Sequence, residues 1–452
     1  MSGALRLTVF GTGYLGTVHA VAMAEVGFQV LGVDTDPARI EVLCAGRPGI
    51  HEPGLTAMLR RGLASGRLAF TTSYRRAAAS GDVHFICVGT PPCEDGSARA
   101  ELSQLEACLT TLAPLLSRPC LVVGKSTVPV GTAARLASSV LPGTAELAWN
   151  PEFLREGHAL ADTLQPDRIV AGVQSPRAEA ILRRVYEKQI AAGVPFVVTD
   201  LATAELVKLA ANAFLAAKIS FINAMAEVCE AVGADAALLA AALGHDPRIG
   251  GGGMRPGLGF GGGCLPKDIR AFSGQADELG ALQTASLLRL VDTINQRRRD
   301  RMVALAAELA GGSLAGARVG VLGLAFKLGT DDIRDSPAMA VATTLRELGA
   351  VVTAFDPAAM DRARAQCPGL CYARSPAEAA RDADVLLVLT EWPQFTAADP
   401  GELGAVAAKR NVVDGRHALD RTRWQAAGWH YRALGQPAAD RPAAAIGRPA
   451  VA

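Results

Sequence analysis

The sequence predicts an α/β protein in which two doubly wound parallel-sheet units are joined by a long central helix and a helical domain. Three observations carry that prediction. Short β-branched runs alternate with Ala- and Leu-rich helical stretches over the first 200 residues or so, and the same rhythm restarts near Arg318. Between the two, from Thr203 to Val232, apolar residues recur at helical spacing for roughly eight turns. With 452 residues, half of them hydrophobic and a fifth charged, the chain can bury large aliphatic cores, which excludes disorder of the whole. Lys plus Arg (45) and Asp plus Glu (44) nearly cancel, so no global field favours nucleic acid or a membrane surface. Any anion must be held by a local site.

Taken in order, residues 5–10 form an apolar strand, followed by glycine-rich punctuation, a helix to about Gly27 and a second strand at 29–33. Further strands are predicted at 84–88, 120–124 and 169–172, giving a first domain over 1–198. A central helical domain follows at 199–312, with helices over 203–232 and 277–310 flanking a loop rich in glycine. The stretch 206–228 is the most apolar, but Lys208, Asn212, Lys218, Asn223 and Glu227 interrupt it, so it reads as a helix of a soluble protein. Strands at 319–322, 351–355, 385–389 and 411–413 define a second, smaller α/β domain over 313–435. Residues 436–452, rich in Pro and Ala, are expected to be a disordered tail. The N-terminus has no export-signal pattern, and the scattered cysteines, of which Cys367 and Cys371 are the closest pair, suggest reduced thiols in a cytoplasm and no metal site.

Gly11-Thr12-Gly13-Tyr14-Leu15-Gly16 follows the first strand and opens a helix, and Asp34 ends the second strand eighteen residues after Gly16. This is the context in which a glycine triplet binds a dinucleotide: the backbone approaches the pyrophosphate, the helix start donates N–H groups, and the acid accepts from the ribose hydroxyls. A carboxylate there repels a 2′-phosphate, so NAD is expected rather than NADP. The alternative is a tight turn with a capping acid. The second α/β domain has Gly323 to Lys327 and Asp356 in similar places but lacks the third glycine; it reads either as a second phosphate-ligand fold or as a packing domain.

Only seven of the 45 basic residues are lysines, so those inside motifs need a reason. Lys208 and Asn212 lie one turn apart on the long helix, where a snorkelling surface lysine is the bland alternative. Glu152 and Glu156, in 150–156, have a solvated helix start as theirs. In Gly259 to Asp268, Pro266 suits the first turn of a helix, which puts Cys264 just before its N-terminus and Asp268 about a turn further in. A thiol so placed has a stabilised thiolate, although cysteines are more often buried and inert.

Together these stretches, with Val88 to Pro91, Lys125 to Pro129, Asp246 to Gly250, Asp331 to Pro337 and Thr390 to Trp392, resemble the UDP-glucose 6-dehydrogenase family over residues 5–435. The resemblance implies two Rossmann-like domains, a homodimer built on the central helix, and oxidation of C6 of a nucleotide sugar to a carboxylate by NAD. It implies Cys264 as nucleophile, with Asp268, Lys208 and Asn212 around it, Thr127 and Glu156 near the water and nicotinamide, and Glu152 assisting hydrolysis. NAD would be held by residues 11–16, Asp34, Arg39, Thr90, Thr127, Glu156, Lys267 and Arg334. Glu152, Phe153, Leu154, Arg155, Lys208, Asn212, Arg248 from the other subunit, Phe260, Gly261, Lys327 and Arg416 would hold the sugar nucleotide. Asp162 to Val170 is similar to the UDP-glucose branch rather than the GDP-mannose branch, with acetamido sugars or a non-catalytic NAD-binding scaffold as alternatives. The sequence departs from the family pattern at His51, at Ala224 and in the run Gly250 to Gly253 beside the expected sugar-nucleotide loop.

Overall fold

The computed structural model describes residues 5–93, 95, 99–139, 141 and 143–437; residues 438–452 of the expected tail lie outside them. Gln436, the first residue of that tail, donates from Nε2 to Asp235 at 2.7 Å. The chain packs as two units, Met1–Ala211 with Ala271–Ala281, and Asn212–Arg270 with Leu282–Ala452.

The first unit is built on eight strands: β1 (Arg6–Phe10), β2 (Gln29–Val33), β3 (Leu68–Thr71), β4 (Val83–Ile86), β5 (Cys120–Gly124), β6 (Ala145–Trp149), β7 (Ile169–Gly172) and β8 (Phe196–Thr199). Their order, β3-β2-β1-β4-β5-β6-β7-β8, reverses direction beside β1, which makes a topological switch point at the carboxyl ends of β1 and β4. Side chains alternate between two cores. Val9, Phe85 and Val123 join one, and Phe10, Ile86, Val122 and Trp149 the other, so the central strands are apolar on both faces. The sheet is not wholly parallel as expected, because β6 meets β7 antiparallel at Trp149 and Gly172. An antiparallel return needs no crossover to the far end of the sheet, so residues 150–168 stay at the carboxyl end.

In the second unit six strands, β9 (Arg318–Leu322), β10 (Val351–Phe355), β11 (Cys371–Tyr372), β12 (Val385–Val388), β13 (Asn411–Asp414) and β14 (His430–Ala433), form a parallel sheet ordered β11-β10-β9-β12-β13-β14. This repeats the order of the first six strands of the other sheet, as expected of a duplicated nucleotide-type fold. The expected helix at 277–310 is instead two helices, Leu265–Glu278 and Leu282–Ala310. Gly280, at φ 75°, ends the first of them, because left-handed backbone at that position suits glycine and closes a helix C-terminus.

The helix Leu201–Val232 is long enough to cross a membrane and contains an 18-residue stretch of mean hydropathy 1.4. Its buried polar residues nevertheless find protein partners. Glu205 accepts from the Gly131 and Ala133 amides, Ser220 donates to the Val291 carbonyl at 2.7 Å, and Asn223 accepts from Gly257 N–H at 2.9 Å. Apart from Asn223 Nδ2, which is buried without a hydrogen-bond partner, these groups are satisfied as in the interior of a folded protein.

Candidate active site

In the first unit the glycine fingerprint forms the turn its sequence predicts. Gly11 sits at φ 85° after β1, and its N–H donates to the Val33 carbonyl at 2.8 Å. A Cβ on Gly16 would lie 1.8 Å from the Gly11 carbonyl oxygen, so only glycine lets the helix start so close to the strand. Gly13 faces open space, and the helix Tyr14–Val26 begins there without a side-chain cap. Uncapped N–H groups beside an open backbone fit a pyrophosphate.

Asp34 closes β2, with Oδ2 accepting from Thr12 N (2.7 Å), Thr12 Oγ1 (2.9 Å) and Arg39 Nη1 (3.2 Å), and Oδ1 from Asp36 N. Burial pushes this carboxyl up, but the donors outweigh it and hold the group below its usual range. The acid is therefore ionised beside the fingerprint. Thr90 donates to the Thr127 carbonyl at 2.7 Å, which ties the loop after β4 to the loop after β5.

The turn after Thr127 is pinned from two helices. Gln275 makes reciprocal bonds with Val130 (3.1 and 2.9 Å), and Glu205 receives Gly131 N–H at 2.7 Å. Residues 150–157 leave β6 at the same end of the sheet. Glu152 is nearly buried, forms a 2.9 Å ion pair with Lys208 and accepts from Leu154 N–H. Burial pushes the Glu152 carboxyl up, yet Lys208, the Leu154 amide and Lys125 together hold it below the ordinary carboxylate range. Phe153 lies under the Arg168 guanidinium, 3.9 Å from its ring centre. Arg155 turns outward to a bidentate pair with Asp162. Glu156 is part-buried, and the next residue, Gly157, donates at 2.7 Å to Glu52, which also receives the Tyr14 hydroxyl. Sequence reasoning missed Glu52 as the link between fingerprint and loop. Its neighbour His51 drew notice only as a departure.

The second unit presents the cysteine. Cys264 is exposed, and its carbonyl accepts the Asp268 N–H at 2.9 Å, so it caps the helix Leu265–Glu278. Asp268, 2% exposed, receives Asn212 Nδ2 on one oxygen and Lys267 Nζ on the other, each at 2.7 Å. Lys267, expected at the cofactor, thus pairs with Asp268 here.

The glycines before Cys264 permit close backbone packing. A Cβ on Gly261 would approach the Asp335 carbonyl to 2.4 Å. Phe260 is fixed by two bonds to Asn295 (2.8 and 2.9 Å). Arg334 belongs to this unit and chelates Asp332. Arg416 donates to the carbonyls of Leu389, Gly259 and Phe326 at 2.9–3.0 Å, bracing three loops at once. Lys327 is part-buried, with its ammonium 5.4 Å from the Phe326 ring centre. Arg248 is largely exposed and paired with Asp246.

Asp356, the counterpart of Asp34, is 1% exposed and engaged by the amides of Leu324, Ala325, Ala358 and Ala359 and by Trp392 Nε1. Among the described residues no cluster of His, Cys, Asp and Glu is set for a metal.

Comparison with known proteins agrees with this division of features. Models of the UDP-glucose/GDP-mannose dehydrogenase family match the NAD binding domain at residues 5–190, the central domain at 202–297 and the UDP binding domain at 320–421. A UDP-glucose 6-dehydrogenase of Rhizobium meliloti is 41% identical over 442 residues, covering 96% of this chain and all of that one. A UDP-glucose dehydrogenase structure from Pyrobaculum islandicum superposes with a TM-score of 0.87 at 40% identity, covering 96% of this chain and 98% of that one. A UDP-D-ManNAc dehydrogenase structure from Pyrococcus horikoshii gives 0.83 at 27% identity, with 96% and 99% covered. With a dinucleotide fingerprint in one unit, a helix-capping cysteine in the other and family matches along nearly the whole chain, the protein belongs to the UDP-glucose/GDP-mannose dehydrogenase family.

Proposed function

We propose that the chain oxidises C6 of UDP-glucose to UDP-glucuronate, consuming two NAD and one water. The observation that carries this reading is Cys264 at a helix N-cap with Asp268 buried one turn further in. The dipole of that helix stabilises a thiolate, and a thiolate beside a buried acid suits capture of an aldehyde. NAD fits the first unit through residues 11–16, Asp34, Arg39 and Thr90, with Lys267 and Arg334 assigned to the same cofactor. When bound, it supplies the hydride acceptor for each oxidation.

The roles follow from the chemistry. A carboxylate or activated water near Thr127 and Glu156 takes the C6 hydroxyl proton in the first oxidation. The Cys264 sulfur then adds to the aldehyde carbon, and the hemithioacetal oxygen is held by Lys208 and Asn212. The second oxidation leaves a thioester, which water aided by Glu152 hydrolyses to the acid, releasing the thiol. Phe153, Leu154, Arg155, Phe260, Gly261, Lys327 and Arg416 are assigned to the sugar nucleotide, with Arg248 reaching a second copy.

Exposed Phe214, Phe221 and Val228 on the long helix support a homodimer through it. The three family matches support a functional division into 1–198, 199–312 and 313–435.

A substrate panel read by NADH absorbance tests the assignment. UDP-glucose should give two NADH per sugar; stronger turnover of GDP-mannose or a UDP-acetamido sugar, or no turnover at all, would overturn it.

A further inference from the structure

Behind the Glu152 loop lies a cavity of about 50 Å³, walled by His19, Lys125, Asn150, Glu152 and Tyr186 among others. That is room for a few waters. Lys125 follows β5 and is 7% exposed, and its ammonium donates to two oxygens of Asn150: Oδ1 at 2.9 Å and the backbone carbonyl at 3.4 Å. Asn150 in turn is held at every polar group. Its N–H donates to Gly124 O (2.8 Å), its Nδ2 to Val170 O (2.8 Å), and its Oδ1 also receives the Tyr186 hydroxyl. The root of the loop bearing Glu152 is therefore clamped from two strands, β5 and β7, and from Tyr186 at the end of the helix Pro176–Val185, and the clamp ends in a buried ammonium.

A buried lysine held only by neutral acceptors is costly, so a charge at this place calls for a use. Burial lowers the Lys125 ammonium to about 8, opposed by Cys87 and Glu152. Around the cavity, burial together with Lys125 keeps His19 neutral; both its ring nitrogens are buried without a hydrogen-bond partner. Burial likewise raises the Tyr186 hydroxyl, and the Cys87 thiol to about 12. Asp162, engaged by Arg155, lies on the outer wall with Asp167 and Arg168, whose guanidinium covers Phe153. The cations acting on the Glu152 carboxylate are thus Lys208, in direct contact, and Lys125 from behind.

We propose that Lys125 is a positioning residue for Glu152: it clamps the loop root through Asn150 and sets a second buried positive charge behind the carboxylate that assists hydrolysis. This rests on the role assigned to Glu152 above. Removing a nearby cation disfavours the ionised carboxylate, so the pH at which Glu152 loses activity on the acid side must rise.

The test is the pH profile of kcat for UDP-glucuronate formation by the full chain. Lys125→Met should move the acid limb up by about one pH unit, the size of effect one nearby opposite charge has on a carboxyl group, with the KM for NAD little changed. Lys125→Gln, which keeps a donor for Asn150 but no charge, should show the same movement with a smaller loss of kcat, and it carries the test if the Met variant does not fold. Glu152→Gln should abolish the acid limb altogether. If it does, and the Lys125 variants leave the limb where it was, Lys125 is only a structural residue and the inference fails alone. A wild-type limb in Glu152→Gln would overturn the role of Glu152 and this inference with it.

Discussion

Cys264 is needed only from the aldehyde onward, which makes it a sharp residue to change. Cys264→Ser puts a poorer nucleophile in nearly the same volume, so oxidation and capture continue while an ester, slow to hydrolyse, replaces the thioester. Intact-protein mass spectrometry should then show a sugar-nucleotide adduct on the Ser variant and none on Cys264→Ala, whose acid formation should fall about 10³-fold or more. Near-normal acid production by the Ala variant would end the covalent mechanism. Asp34 is the second such residue. Asp34→Ala removes the ribose acceptor and its negative charge together, so kcat/KM for NAD should fall about 10- to 100-fold while NADP use improves. Unchanged cofactor preference would remove Asp34 from the ribose.

These two residues were legible in the sequence because their settings are local: six residues around a turn, and a proline two residues after a cysteine. The contacts of Asn150, Tyr186 and Glu52 were not. Tyr186 meets Asn150 across 36 positions of chain, and Glu52 meets Gly157 across 105, so only the fold brings them together.

Among elements, the strands that the sequence revealed are the buried ones. β1, β4, β5 and β9 are buried along nearly their whole length, whereas four of the five strands it missed, β3, β8, β11 and β14, are edge strands, and the fifth, β6, opens on the half-buried Ala145 and Glu146. A strand buried on both faces stands out as an apolar run, whereas a short edge strand of two to four residues offers too few positions to show an alternation.

The pairing of β1 with β4 has an energetic signature of its own. Thr8 and His84 are register partners, their side chains 2.6 Å apart and fully buried. Burial, aided by Arg118, lowers the His84 imidazole to about 4. Unfolded chains protonate this residue near its ordinary value of about 6.5, so below that pH the unfolded state binds the extra proton. Stability from His84 is therefore whole above pH ~6.5 and is lost as pH falls towards 4, on the order of 3 kcal/mol in all. Thermal melts between pH 7 and 4 should show a shallower decline for His84→Gln than for the parent chain. Equal slopes would show that His84 does not carry the effect.

At the scale of the whole molecule, the second unit exposes large apolar side chains on two helices: Phe214 and Phe221 on one, Leu287 and Leu290 on the other, each half exposed or more. Patches of this kind mark association surfaces. Phe214→Glu combined with Phe221→Glu should convert a dimer into monomers by light scattering after size exclusion. A parent chain that elutes as a monomer would refute association through the long helix.

The two sheets share a strand order but not a mouth. At Gly13 the backbone is open, and two of the four donors on Asp34 are side chains able to turn away. In the second sheet Leu324 and Ala325 fill the corresponding turn at 0% exposure, and five donors, four of them main-chain amides, lock Asp356 inward. A duplicated architecture has thus become asymmetric in its bookkeeping of ligands. Calorimetric titration with NAD should saturate at one equivalent per chain, and excess NAD should not compete with the sugar nucleotide for its seat, which lets two successive oxidations draw on the cofactor pool without self-inhibition.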